Sequence, residues 1–146
     1  MRKQYLFAIC TIVLAVSCAS GSSDNAPPIA IDVRPIGLAS DILYFPGPLP
    51  VRFVVSVTNP TNEPVTMAAL SLQTIGPGAF NLRSSNVPVN RTIAPGQTAT
   101  FSVSAWGYAR GGYLRAEEPV TLRATGDFSS PSRHAFIKMV NENLVP

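Results

Sequence analysis

Between Val51 and Thr58 every second residue is large and apolar: Val51, Phe53, Val55 and Val57 alternate with Arg52, Val54, Ser56 and Thr58. A period of two puts four apolar side chains on one face of a strand, and a chain that carries such a face must bury it against a second layer. The same device recurs at Val120, Leu122 and Ala124 against Thr121, Arg123 and Thr125. From Ile29 onward, short runs rich in Val, Thr, Ile and Phe are cut by Pro, Gly and Asn at intervals of about 8–12 residues. No segment there carries a helical period. Seven runs read as strands: Ile29 to Arg34, Val51 to Thr58, Pro64 to Thr74, Ala79 to Arg83, Thr98 to Trp106, Pro119 to Thr125 and Arg133 to Val140.

Seven short strands in one domain predict an all-β fold, a single immunoglobulin-like Greek-key β-sandwich spanning residues 29–146. The inward positions are Val33, Phe53, Val55, Val57, Leu70, Leu72, Phe101, Val103, Val120, Leu122, Phe136 and Ile137. Burying one Val or Phe is worth about 1.5–3 kcal/mol, so a dozen such positions offset the ordering of the chain. Phe136 and Ile137 are adjacent and cannot both face inward in a regular strand, so one of them signals a bulge or a second buried face.

Two turns punctuate these runs. Asn59-Pro60-Thr61-Asn62-Glu63-Pro64-Val65 joins two strands through residues that fix φ or hydrogen-bond their own backbone. Ile93-Ala94-Pro95-Gly96-Gln97 has Pro and Gly at the central positions of a type II turn. Together with Val120-Thr121-Leu122-Arg123-Ala124-Thr125-Gly126-Asp127-Phe128, the stretch from Val51 to Phe128 resembles the WHy domains of the LEA-14 group. That resemblance implies a non-enzymatic role in stress and desiccation tolerance.

The N-terminus has the three parts of a secretory signal: Arg2 and Lys3, an apolar stretch from Tyr5 to Val16, and small residues at a cleavage site. Leu14-Ala15-Val16-Ser17-Cys18 resembles a bacterial lipobox. The resemblance implies a signal peptide over 1–17, a diacylglycerol anchor on Cys18 and a partner in the membrane itself. Ala19 after the cysteine implies sorting to the outer membrane. Ordinary cleavage near Ser17 or Ser20, releasing a soluble periplasmic or secreted protein, is the alternative. An apolar stretch of roughly 12 residues is too short to span hydrocarbon, which takes about 20. Residues 18–28, small and polar, form a flexible tether that reaches about 17 Å as a coil and at most ~35 Å stretched.

Without its signal the chain is nearly neutral. Nine basic residues follow Cys18 against all eight acids, which removes the charge argument for a nucleic-acid partner. Cys10 lies in the apolar stretch and Cys18 is the lipid acceptor, so no disulfide staples the domain. The sequence carries no catalytic, metal or cofactor constellation. His134 is the only histidine. Asp127, Ser129, Ser130, Ser132 and His134 contain the members of a serine triad, but no Gly-x-Ser-x-Gly elbow presents a nucleophile, and a solvated turn explains them. Glu117 and Glu118 are neighbours that face opposite sides of a strand. Gly76-Pro77-Gly78 lacks the Gly-Lys-Ser/Thr of a phosphate loop and reads as a tight turn.

The segment from Trp106 to Arg115 stands apart. It gathers the only Trp with Tyr108, Arg110, Tyr113 and Arg115, the composition of an interface hot spot. With Phe101, Val103 and Ala105 inward, alternation sends Trp106 to the solvent face. A bulge near Ala105 instead folds it over the end of the sandwich as a lid. Three functions follow: an anchored binding or assembly module for an envelope protein or cell-wall glycan, a WHy-like protective protein, and a hydrolase dependent on His134.

Overall fold

The computed structural model of the chain describes residues 27–36, 48–109 and 119–144. Cys18, the signal, the tether up to residue 26, Arg110, Tyr113, Arg115, Glu117 and Glu118 lie outside the described residues. Eight strands are present among those described, where about seven are expected: β1 (Ala30–Ile36), β2 (Leu49–Thr58), β3 (Val65–Ile75), β4 (Phe80–Leu82), β5 (Ser85–Ile93), β6 (Thr98–Ala109), β7 (Val120–Ser129) and β8 (Phe136–Leu144). No helix occurs among the described residues, and none is long and apolar enough to cross a membrane.

The strands form two antiparallel sheets of four, in the orders β1-β2-β6-β4 and β5-β3-β7-β8. The first is centred on β2, whose alternation requires a neighbour on each side. Val57 pairs with Ile31 and Ala99, and Val55 with Val33 and Phe101. The second is centred on β3 and β7, which pair Leu72 with Ala124 and Thr74 with Leu122. Their inner faces close on one core of Phe53, Val55, Val57, Val65, Met67, Leu70, Leu72, Leu122 and Phe128, with each side chain at most 2% exposed.

Most of the expected inward positions are buried. Phe101 and Phe136 are half-buried at the margins. Ile137 is 62% exposed and is a correction. β8 pairs with β7 in unbroken register from Phe136 opposite Phe128 to Leu144 opposite Val120, so no bulge turns Ile137 inward. Phe136 takes the inner position and stacks on Phe128 with ring centroids 5.5 Å apart.

β5 is the strand absent from the sequence reading. Pro88 interrupts it and its side chains are largely polar, which together demote a run. It survives because it is an edge strand that bonds on one side only. A bulge between Met67 and Ala69 meets it at Asn90, whose φ of 48° is a conformation Asn tolerates. At the opposite edge of that sheet, β8 turns Lys138 and Glu142 toward its half-buried side, a charged guard against pairing with another chain.

Asn59 locks one end of the sandwich. It is the only buried polar or charged side chain among the described residues. Its Nδ2 donates to the carbonyls of Glu63 (2.8 Å), Ile93 (3.0 Å) and Ala94 (3.3 Å), and its Oδ1 accepts from Thr61 N and Oγ1. Its backbone bonds Gly96 and Gln97. The Asn-Pro and Pro-Gly turns are therefore one hydrogen-bonded unit. The second is the expected type II turn, with Gly96 at φ 68° and Gln97 N bonded to Ala94 O at 3.1 Å.

Candidate binding face

β6 runs without a bulge beside β2, from Thr98 opposite Thr58 to Gly107 opposite Leu49. Alternation therefore holds through Ala105, which is buried, and Trp106 is sent outward. The indole is 53% exposed and the Tyr108 ring 39%. Of the two sequence readings, the lid is the one that fails, because the bulge it requires is absent.

Strand pairing sets the neighbours of Trp106. Pro50 lies directly opposite it on β2. Arg52, one pleat along on the same face, pairs with Ser104 and stands diagonal to Trp106, about 7–8 Å away across the ladder. On the other side, β4 pairs Leu82 with Gly107, and the Arg83 N–H donates to the Trp106 carbonyl at 2.9 Å. Leu82 is buried, and Arg83, the first residue after β4, is exposed. Two arginines, Arg52 and Arg83, are thus held on either side of Trp106 by backbone pairing, and among the described residues neither makes an ion pair. The only ion pair among the described residues, Arg34 Nε to Asp32 Oδ2 at 2.9 Å, lies on β1 with both side chains largely in water, where it contributes little to stability.

Of the residues expected to form the patch, Trp106 and Tyr108 share this face, whereas Arg110, Tyr113 and Arg115 are outside the described residues. Arg52, Arg83 and Pro50 were not among them. Arg52 was readable as outward-facing, but only the pairing order brings β2, β6 and the end of β4 to one place.

The remaining polar clusters are structural. Ser130 and Ser132 do not orient toward His134. Both hydroxyls donate to the Glu63 carboxylate, joined by the Ser132 N–H at 3.2 Å, and this ties the β7–β8 turn to the β2–β3 turn. These bonds, Ser132 first and then Ser130, hold the Glu63 carboxyl below its ordinary pKa. The described residues hold no group of three His, Cys, Asp or Glu side chains able to bind a metal. A groove between β5 and β6, lined by Val87, Val89, Phe101 and Val103, is crossed by Arg91. Its guanidinium lies 5.9 Å from the Phe101 ring centroid and donates to Thr100 O at 3.1 Å.

No family model and no curated protein matches the sequence. Solved structures do match the fold. Northeast Structural Genomics Consortium target SoR45 is similar with a TM-score of 0.53 at 9% identity, over 80% of this chain and 84% of that one. A Bordetella pertussis protein described as ApaA is similar with a TM-score of 0.53 at 14% identity, over 80% of this chain and 92% of that one. At such identities the likeness is one of fold alone, and what this chain shares with them is an all-β architecture of two packed antiparallel sheets.

Proposed function

We propose that the chain is a non-enzymatic binding or assembly module of immunoglobulin-like topology, lipid-anchored through Cys18 to the bacterial envelope, and that it engages its partner through the outer face around Trp106. The exposed Trp106, between two arginines that make no ion pair among the described residues, carries this reading. Trp, Tyr and Arg are the side chains that dominate binding energy at interfaces, and a large ring left in water on a rigid strand costs little ordering when a ligand covers it. The strand order supports the topology. β2 neighbours β6 and β3 neighbours β7, so both central pairs are long-range connections of the Greek-key kind. Anchor and face are compatible in reach, since β1 enters the fold at the Thr58 end of β2 and the face lies toward the other end, near Pro50.

The test is crosslinking in intact cells that carry the full chain. Trp106→Ala with Tyr108→Ala should remove specific crosslinked partners while the protein level is unchanged; an unaltered crosslink pattern would contradict the reading. Cys18→Ala should abolish incorporation of labelled fatty acid and release the protein from the membrane fraction.

A further inference from the structure

The face around Trp106 has a definite chemistry. Along β6 its outward positions run Tyr108, Trp106, Ser104, Ser102 and Thr100, two rings followed by three hydroxyls, with successive side chains about 7 Å apart. Arg52 borders this row on the β2 side and Arg83 on the β4 side. The carboxylate of this outer face among the described residues, Asp32, is bonded to Arg34. Among the described residues this face therefore offers cations without a carboxylate of their own, and an anionic ligand complements them. Guanidinium forks suit carboxylate or phosphate.

The shape of the row argues for a linear ligand lying along the strand. A folded protein partner would need an apolar centre to the patch, but the apolar groups of this face, Pro50 opposite Trp106, Tyr108 next along β6 and Ile36 opposite Arg52, are interleaved with Ser104 and Arg52 rather than gathered at a centre. Sugar rings meet these conditions. Each presents a C–H face, weakly positive, to the negative face of an aromatic ring, and hydroxyls and anionic groups at its edge to Ser and Arg. We infer that this face binds a linear acidic polysaccharide, with Trp106 and Tyr108 stacking on sugar rings and Arg52 and Arg83 holding its anionic groups. The inference rests on the binding role proposed above and names its ligand class.

Trp106 is the only Trp of the chain and reports directly on the contact. The full chain in detergent is titrated with polygalacturonate while Trp emission is followed, with dextran, polyglutamate and a single-stranded oligonucleotide as parallel probes. Polygalacturonate should change the emission saturably and dextran should not. Arg52→Glu with Arg83→Glu should weaken the response about tenfold or more, with a denaturation midpoint unchanged because both side chains are in water. An equal response to polyglutamate or the oligonucleotide would overturn the glycan assignment and leave the binding face standing. No response to polygalacturonate, or one indifferent to the double charge reversal, overturns the inference itself. If crosslinks in cells still depend on Trp106 in that case, the binding role survives; if they do not, both fall.

Discussion

The two outer faces of this sandwich are built alike and finished differently. On the second sheet, polar side chains satisfy one another across the strands. Thr66 bonds Thr92 (2.9 Å), Thr121 bonds Asn143 (3.0 Å) and Arg123 bonds Asn141 (3.3 Å). The lower half of the first sheet does the same, with Ser56 bonded to Thr100, Thr58 to Thr98 and Asp32 to Arg34. The upper half of the first sheet, by contrast, leaves two rings and two arginines open, at Trp106, Tyr108, Arg52 and Arg83. The second sheet does expose Ile137 and Met139, neighbours on one face of β8 that stand opposite Asp127 and Thr125, but the cation diagonal to Met139, Arg123, is bonded to Asn141.

The comparison implies that stability resides in the interior and the locked end, and that the open face contributes little of it. The largest loss is expected for Asn59→Ala, which strips partners from three backbone carbonyls and removes the acceptor for Thr61. It should lower unfolding free energy in urea by about 3 kcal/mol. Gly126→Ala comes next. A methyl group there would lie 2.5 Å from the Phe128 ring and 3.2 Å from Met67, inside the core, and a loss of about 1–3 kcal/mol is expected. On the closed outer face, Thr66→Ala with Thr92→Ala should cost about 0.2–1 kcal/mol. Trp106→Ala should fall within about 0.5 kcal/mol of the parent. A loss as large as that of the core variants would erase the distinction between the faces.

The smallest effect is one of pH. Glu63 has a folded pKa below its ordinary 4.5, so its bonds to Ser130 and Ser132 stabilise the fold above the unfolded pKa. That contribution is lost as pH falls through the folded value. Midpoints measured across the acid range should fall less steeply for Glu63→Gln than for the parent. An identical slope would remove Glu63 from the clamp between the two turns.

Much of the fold was legible because strand alternation is a local signal. Val51 to Val57 and Val120 to Ala124 declare their inner faces without knowledge of any partner. β5 was hidden because Pro88 and its polar residues look like a loop unless the strand is known to sit at an edge. Ile137 misled for the converse reason: an aliphatic side chain on an edge strand need not be buried. The Trp106 face was half legible. The period of β6 left the indole two directions, outward or, with a bulge near Ala105, over the end as a lid, and the unbroken β2–β6 register decides between them, whereas Arg52 and Arg83 become its neighbours only through pairings separated by some fifty and twenty residues, which no local pattern encodes. Asn59 was visible as a turn residue, but its reach to Ile93 and Ala94 depends on the same long-range closure.

The central claim is that Trp106 stands in water. Emission of this single Trp, with acrylamide as a soluble quencher, tests it on the full chain in detergent. An indole in water gives red-shifted emission that acrylamide quenches readily, with Arg52→Glu and Arg83→Glu leaving that access intact. Blue-shifted emission protected from acrylamide would place the indole under a cover, restore the lid, and remove the face on which the binding role and its acidic ligand depend.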